Sequence, residues 1–234
     1  MRINDEVGYV LKKQDYGDTS LLVDVFTREH GRLRVVVKGA RTGKAAKARI
    51  LQPFSHLSLG WSGRSELKTL TQLELLQTFH LGKEPLVCGF YLNELLWNFL
   101  EVFDPHEMLF DQYEATLSAL SEECFVEPLL RKFEFFLLQD IGYGVCFDLD
   151  ADTGAPLDSK SNYLFELEKG LVCTSNTNEG YPGELYLAIA NEEYSNKAVL
   201  MLAKNLSRKV IYHRLNGQEL NSRKWFANMR SANA

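Results

Sequence analysis

The chain has 234 residues, 45% of them hydrophobic, and a formal net charge of −5 at pH 7. That length suits one large domain or two to three small ones, and the apolar content allows a packed core, so global disorder is excluded. No stretch approaches the roughly 20 apolar residues of a membrane span, and MRINDEVGYV, with Asp5 and Glu6 and no apolar centre, does not read as a secretory leader.

Residues 1–80 read as β. A first strand covers Glu6 to Lys12, with Val7, Tyr9 and Leu11 on one face, and a turn follows at Tyr16-Gly17-Asp18. From Thr19, Leu21, Val23 and Val25 alternate with Leu22, Asp24 and Phe26. After a turn at Arg28 to Gly31, Leu33, Val35 and Val37 alternate with Arg34, Val36 and Lys38, which completes a hairpin. His56 to Trp61, Glu66 to Leu70 and Leu73 to Phe79 add short strands. Five or six short strands in this length predict a small barrel, and a five-stranded OB-type barrel suits it.

The hairpin carries a concentration of positive charge. Between Arg28 and Arg49 there are eight Lys or Arg and one acid, Glu29. Flexible cations neutralise phosphates, and the small residues among them let a polyanion backbone lie close. Arg32, Arg34, Lys38, Arg41, Lys44, Lys47 and Arg49 are therefore candidate nucleic-acid contacts, the alternative being a solvated loop with no partner. GARTGK (Gly39 to Lys44) departs from a phosphate loop on two counts: it has three residues between its glycines, and Ala45 stands where magnesium needs a Ser or Thr.

The pattern becomes helical at Pro85. Leu86, Phe90, Leu96 and Leu100 mark one stripe, and Met108, Leu109, Tyr113, Leu117 and Leu120 a second after Asp104-Pro105. Leu130, Phe133, Leu137, Leu138 and Ile141 mark a third between Pro128 and Gly142. Short loops between the three predict a bundle. Asp148 to Ser159 is an acidic loop that lacks the sixth-position Gly and closing Glu of a calcium loop. A hairpin follows, Tyr163 to Leu167 and Leu171 to Thr174 about Glu168-Lys169-Gly170, then helices at Leu185 to Ala190, Ala198 to His213 and Asn221 to Asn228. The expected fold is α+β: an N-terminal OB-fold-like β-barrel (1–80), a helical bundle (81–147) and a C-terminal region of hairpin and basic helices packed on the bundle (148–234).

Charge is unevenly spread. Residues 1–80 hold 13 Lys or Arg against 8 Asp or Glu, residues 81–200 hold 6 against 22, and residues 201–234 hold 7 against 1. A polyanion should touch the two ends and avoid the middle. Lys204, Arg208, Lys209, Arg223 and Lys224 join the candidate contacts. Phe54 and Trp61 are candidate stacking surfaces for bases or, as is commoner in small barrels, core.

Little else suggests chemistry. Cys88, Cys124, Cys146 and Cys173 are scattered and form no CxxC pair, so reduced thiols in the cytosol are expected. The five histidines form no helical metal pair, and no nucleophile elbow occurs. No catalytic site, metal or cofactor is expected, and the pattern argues against an enzyme. Between Glu84 and Ser159 the sole cations are Arg131 and Lys132, beside the apolar face of LLRKFEFFLL. They form either an internal ion pair, Arg131 with Glu127 or Glu134, or a cationic groove for a peptide that ends in a hydrophobic residue and a free carboxylate.

TSLLVDVFTREHGRLRVVVKGAR, LQPF (Leu51 to Phe54), ELKTL (Glu66 to Leu70), YLNELL (Tyr91 to Leu96) and EPLLRKFEFFLLQDIGYG (Glu127 to Gly144) resemble the RecO family of bacterial recombination mediators, in family order and spacing. The resemblance is thin beyond about residue 150. It implies an OB-fold, a helical middle domain and a C-terminal region. It implies binding of single- and double-stranded DNA and annealing of complementary strands, in the cytoplasm at the nucleoid, and partnership with RecR. It further implies docking on the acidic, Phe-ended tail of the single-stranded-DNA-binding protein, so that RecA can be loaded. Arg131 and Lys132 would meet that tail's carboxylates, with Phe133, Phe136 or Leu137 near its Phe. Some members carry a four-cysteine zinc site; with Cys146 and Cys173 alone in the C-terminal region, this chain is similar to the zinc-free branch. The rivals are a protein-only adaptor whose basic patches dock acidic partners and a nucleotide-dependent enzyme using GARTGK.

Overall fold

A computed structural model describes residues 2–41, 46–122, 125–176 and 179–232. Thr42 to Lys44, the second half of GARTGK, and Cys124 lie outside them. The chain divides into two compact units, residues 1–126 with 220–234, and residues 127–219.

The first unit is built on five strands: β1 (Arg2–Tyr16), β2 (Ser20–Thr27), β3 (Gly31–Val37), β4 (Ser55–Ser62) and β5 (Leu67–Thr78). They close in the order β1-β2-β3-β5-β4, antiparallel except where β3 meets β5. This is an OB-like barrel. β1 is longer than its alternation predicts because the register shifts between Val10 and Lys12 against β2 and between Ile3 and Glu6 against β4. Each shift flips the facing of later side chains, which hides the strand from a period-2 reading. It also bends β1 so that one strand serves both neighbours. The core alternates as expected: Leu21, Val23, Val25, Leu33, Val35 and Val37 point inward with Leu57, Leu59 and Trp61.

Gly31 closes the β2–β3 turn with φ +67, and a Cβ there would lie 1.9 Å from the Asp104 carbonyl oxygen. Only glycine lets the residues 102–104 cross so near, where Phe103 N–H donates to Arg32 O at 2.8 Å. A short helix, α1 (Ala46–Ile50), interrupts the β3–β4 connection. Helices α2 (Lys83–Phe99) and α3 (Glu107–Ser121) pack beside the barrel: Asn93 Nδ2 donates to the Val10 and Leu11 carbonyls, and Phe110 and Tyr113 meet Tyr9 and Phe26.

The second unit contains α4 (Val126–Asp140), the strands β6 (Asn162–Glu166), β7 (Gly170–Thr174) and β8 (Tyr181–Pro182), and the helices α5 (Gly183–Ala190) and α6 (Lys197–Arg214). The sheet order is β7-β6-β8, and β8 is too short for any alternation to reveal. Gly142, with φ +81, turns the chain out of α4, and Tyr143 N–H donates back to Leu138 O. The third helix of the expected bundle thus groups with the hairpin and α6. The final helix, α7 (Asn221–Ala232), returns to the first unit. Its N-terminus is capped from α2: Glu94 accepts hydrogen bonds from the Asn221 and Ser222 backbone N–H groups at 2.8 Å and from the Ser222 hydroxyl.

Candidate nucleic-acid interface

The basic segment between β3 and β4 is pinned to the barrel by its apolar positions. Ala40 and Leu51 are fully buried in the barrel core, and Ala48 and Ile50 pack against it. The intervening polar positions are left outward, so Lys38, Arg41, Lys47 and Arg49 are exposed. The segment is also tied to the β1–β2 turn. Arg41 N–H donates to Thr19 O at 2.9 Å, and its guanidinium donates to Gly17 O and lies 3.2 Å from Asp15. Further along, Lys13 Nζ donates to Gln52 Oε1 at 2.9 Å while Gln52 donates to Ala48 O. Partial burial lowers the Lys13 pKa. Lys13 joins the rim although the sequence reading passed it over, because it lies beyond the bulge where alternation is lost. Among the described residues no acid pairs with Lys38, Lys47 or Arg49.

Two of the expected contacts are engaged by the fold. Arg34 grips Asp24 through Nε at 2.8 Å and Nη2 at 3.2 Å. Arg32 Nε donates to Leu100 O at 2.9 Å, with Nη1 3.8 Å from Asp24. Asp24 is buried, so these arginines first balance an interior carboxylate. Both aromatic candidates are core. Trp61 is 1% exposed inside the barrel, and Phe54 is 4% exposed with its ring edge-on to Phe90. A Cβ on Gly89 would sit 2.7 Å from the Phe54 ring, so glycine makes room for it on α2.

The C-terminal cations split between the units. Arg223 and Lys224 stand on α7 in the barrel unit, beside Trp225, whose ring meets Phe90 at 5.8 Å. Lys204, Arg208 and Lys209 stand on α6 in the other. Lys204 pairs with Glu127 at 2.6 Å, and Lys209 donates to Phe165 O at 3.1 Å.

In the second unit Arg131 is 4% exposed, 2.8 Å from Glu134 and 3.0 Å from the Ser207 hydroxyl. This is the internal ion pair. Phe133 and Leu137 are fully buried. Lys132 and Phe136, by contrast, line a cavity of about 370 Å³ with Phe135, Val145, Phe147 and Ile189. Lys132 Nζ lies 2.7 Å from Glu192 at its edge. The buried stripe of α4 carries one charge pair, so hydrophobic spacing alone does not separate its interior cation from its exterior one.

The family model described as recombination protein O N terminal matches residues 1–79, and the one described as recombination protein O C terminal matches residues 83–223. The DNA repair protein RecO of Haemophilus influenzae strain 86-028NP is 42% identical over 221 residues, 94% of each chain. The chain belongs to the RecO family. RecO of Aromatoleum aromaticum is 39% identical over 228 residues, 95% of each chain, and that of Methylococcus capsulatus 38% over 219 residues, 93% of this chain and 90% of that one.

A four-cysteine zinc site does not fit the RecO C-terminal unit seen here. Cys146 Sγ donates to Asp148 Oδ1, and the remaining tie is made by a carboxylate. Asp150 Oδ1 accepts from the backbone N–H groups of Asp152 and Thr153 at 2.9 Å, and Oδ2 accepts from Cys173 N–H at 3.0 Å. The acidic loop is thereby fixed to β7 through hydrogen bonds. The Thr153 N–H, first among these donors, pulls the Asp150 pKa below the usual carboxylate range. In the barrel unit Glu6, Glu29 and His30 place three potential ligand atoms within 4.8 Å of one another. Glu6 already accepts from Glu29 N–H at 2.8 Å and lies 2.9 Å from His30 Nδ1, so protein groups satisfy it.

Proposed function

We propose that this RecO protein is a non-enzymatic DNA mediator that binds single- and double-stranded DNA through the barrel rim and anneals complementary strands. The observation that carries this reading is a fixed set of exposed cations, Lys38, Arg41, Lys47 and Arg49, on an OB-like barrel in a chain of net charge −5. Because the backbone at Ala40, Arg41 and Leu51 is held by the barrel core and the β1–β2 turn, the described cations beside them spend little ordering entropy when phosphates arrive. Cations that screen both backbones reduce the repulsion between two strands, which favours pairing. Arg32 and Arg34 support this surface through Asp24, and Arg223 and Lys224 add charge to the same unit.

The second unit supplies the tether. Lys132 and Phe136 at the cavity mouth suit the acidic, Phe-ended tail of the single-stranded-DNA-binding protein, with Lys132 exchanging Glu192 for the tail's carboxylates. Arg131 holds the wall through Glu134. Docked this way on coated DNA, and together with RecR, the protein would help RecA to load. The setting is the cytoplasm, at the nucleoid.

The test is a titration of a labelled single-stranded oligonucleotide at several salt concentrations, with the complementary strand added at the end. Binding that weakens steeply with salt, followed by faster annealing, is expected. Absence of binding at low salt, with binding to acidic peptides instead, would favour a protein-only adaptor.

A further inference from the structure

The two aromatic rings singled out from sequence as base platforms are buried, yet the rim does carry an exposed ring. Tyr16, the last residue of β1, is 46% exposed. Among the described residues it makes no ring contact and its hydroxyl has no partner. A half-exposed ring without a ring or hydrogen-bond partner at a hairpin end is free to present a face to a ligand.

Its neighbours in the fold include two of the exposed cations. Tyr16 pairs with Ser20 across β1–β2, and Leu21 pairs with Val37 across β2–β3. The row through Tyr16 and Ser20 therefore runs on to Lys38, one position past Val37. Leu21 points into the core, so Tyr16 and Ser20 share the outer face, and Lys38 is exposed in the turn that follows β3. Two strand spacings separate Tyr16 from Lys38, about 10 Å, which the length of a lysine side chain largely spans. On the other side of the turn the Arg41 guanidinium is held against Gly17 O, the carbonyl of the next residue. At Gly17, the next residue, a Cβ would meet nothing within 4 Å beyond its chain neighbours, so the turn itself is uncovered.

We propose that Tyr16 is a stacking platform for an unpaired base, with Lys38 and Arg41 on the flanking phosphates, and that it makes the rim prefer single strands. This rests on the reading of the rim as a nucleic-acid site. A base has a π-face to offer only when it is unstacked from its neighbours, whereas a duplex presents phosphates and groove edges. Stacking on one aromatic ring contributes about 1–3 kcal/mol per base, which is roughly five- to 150-fold in affinity.

The experiment compares the full-length protein with Tyr16→Ala and Tyr16→Phe, using anisotropy of a labelled mixed-sequence single strand and of a duplex of equal length. Tyr16→Ala should lose at least fivefold on the single strand, keep its duplex affinity, and leave the salt slope unchanged, because no cation is removed. Tyr16→Phe should restore single-strand binding. Equal losses on both substrates, or no loss on either, would overturn the platform while leaving the rim in place. Failure of the unmutated protein to bind either substrate at low salt would instead remove the nucleic-acid reading and the platform with it.

Discussion

Replacing Lys38, Lys47 and Arg49 together by Ala gives a quantitative test of the rim. These three cations are exposed, and among the described residues none is paired with an acid, so each is free to release a counterion from a phosphate. Arg41 is left intact because it anchors the segment to the β1–β2 turn. For a single strand each phosphate contact contributes about 0.7 to the slope of log K against log salt, so the triple variant should lose about 2 from that slope. At about 0.1 M salt the same relation gives roughly fivefold per cation, or about a hundredfold in all, shrinking to nothing near 1 M. The side chains bury little, so urea unfolding should move by less than about 0.5 kcal/mol. The assay is oligonucleotide anisotropy at four or five salt concentrations. An unchanged slope would refute the assignment of these cations to phosphates, whatever happened to affinity at one salt concentration.

Arg34→Ala should destabilise the barrel by about 1–3 kcal/mol in urea unfolding, because buried Asp24 keeps only the longer contact to Arg32; adding Asp24→Asn should recover most of the loss. Arg131→Ala should cost about 3–5 kcal/mol by removing the guanidinium that faces fully buried Glu134. Lys132→Ala should instead leave stability alone and weaken an acidic Phe-ended peptide several-fold by calorimetry, and the opposite ranking would place the tail at Arg131. Asp150→Asn should lower stability at neutral pH. The native carboxyl titrates below its ordinary range, so its contribution is present above about pH 4 and disappears as pH falls through the depressed native value. The gap between variant and parent in thermal melts should therefore close in acid, and a constant gap would contradict the hydrogen-bonded anion.

Strand positions were legible where alternation runs unbroken, as from Leu21 to Val25 and Leu33 to Val37, because side chains of one parity fill one core. Alternation failed at the β1 bulges, which is why the strand was read short and Lys13 was not counted with the rim. Helix stripes located α2, α3 and α4, but their grouping depends on pairings far apart in sequence, such as Glu94 capping Asn221 and Arg131 meeting Ser207. Such pairings leave no periodic trace. The charge run in the β3–β4 segment was readable as composition. Which of its members are free was not, because that depends on Asp15 and Asp24 in neighbouring strands. The same holds for the aromatic residues: Phe54 and Trp61 are the sequence candidates and both are buried, while Tyr16, read only as part of a turn, is the exposed ring.

Amide hydrogen exchange of the full-length protein, with and without a saturating single-stranded oligonucleotide, tests most directly whether the barrel rim is where DNA lies. Slowed exchange across 16–20 and 38–51, with the barrel core unchanged, is the expected result. Protection confined to residues 127–219, with the rim exchanging as it does in the free protein, would contradict it.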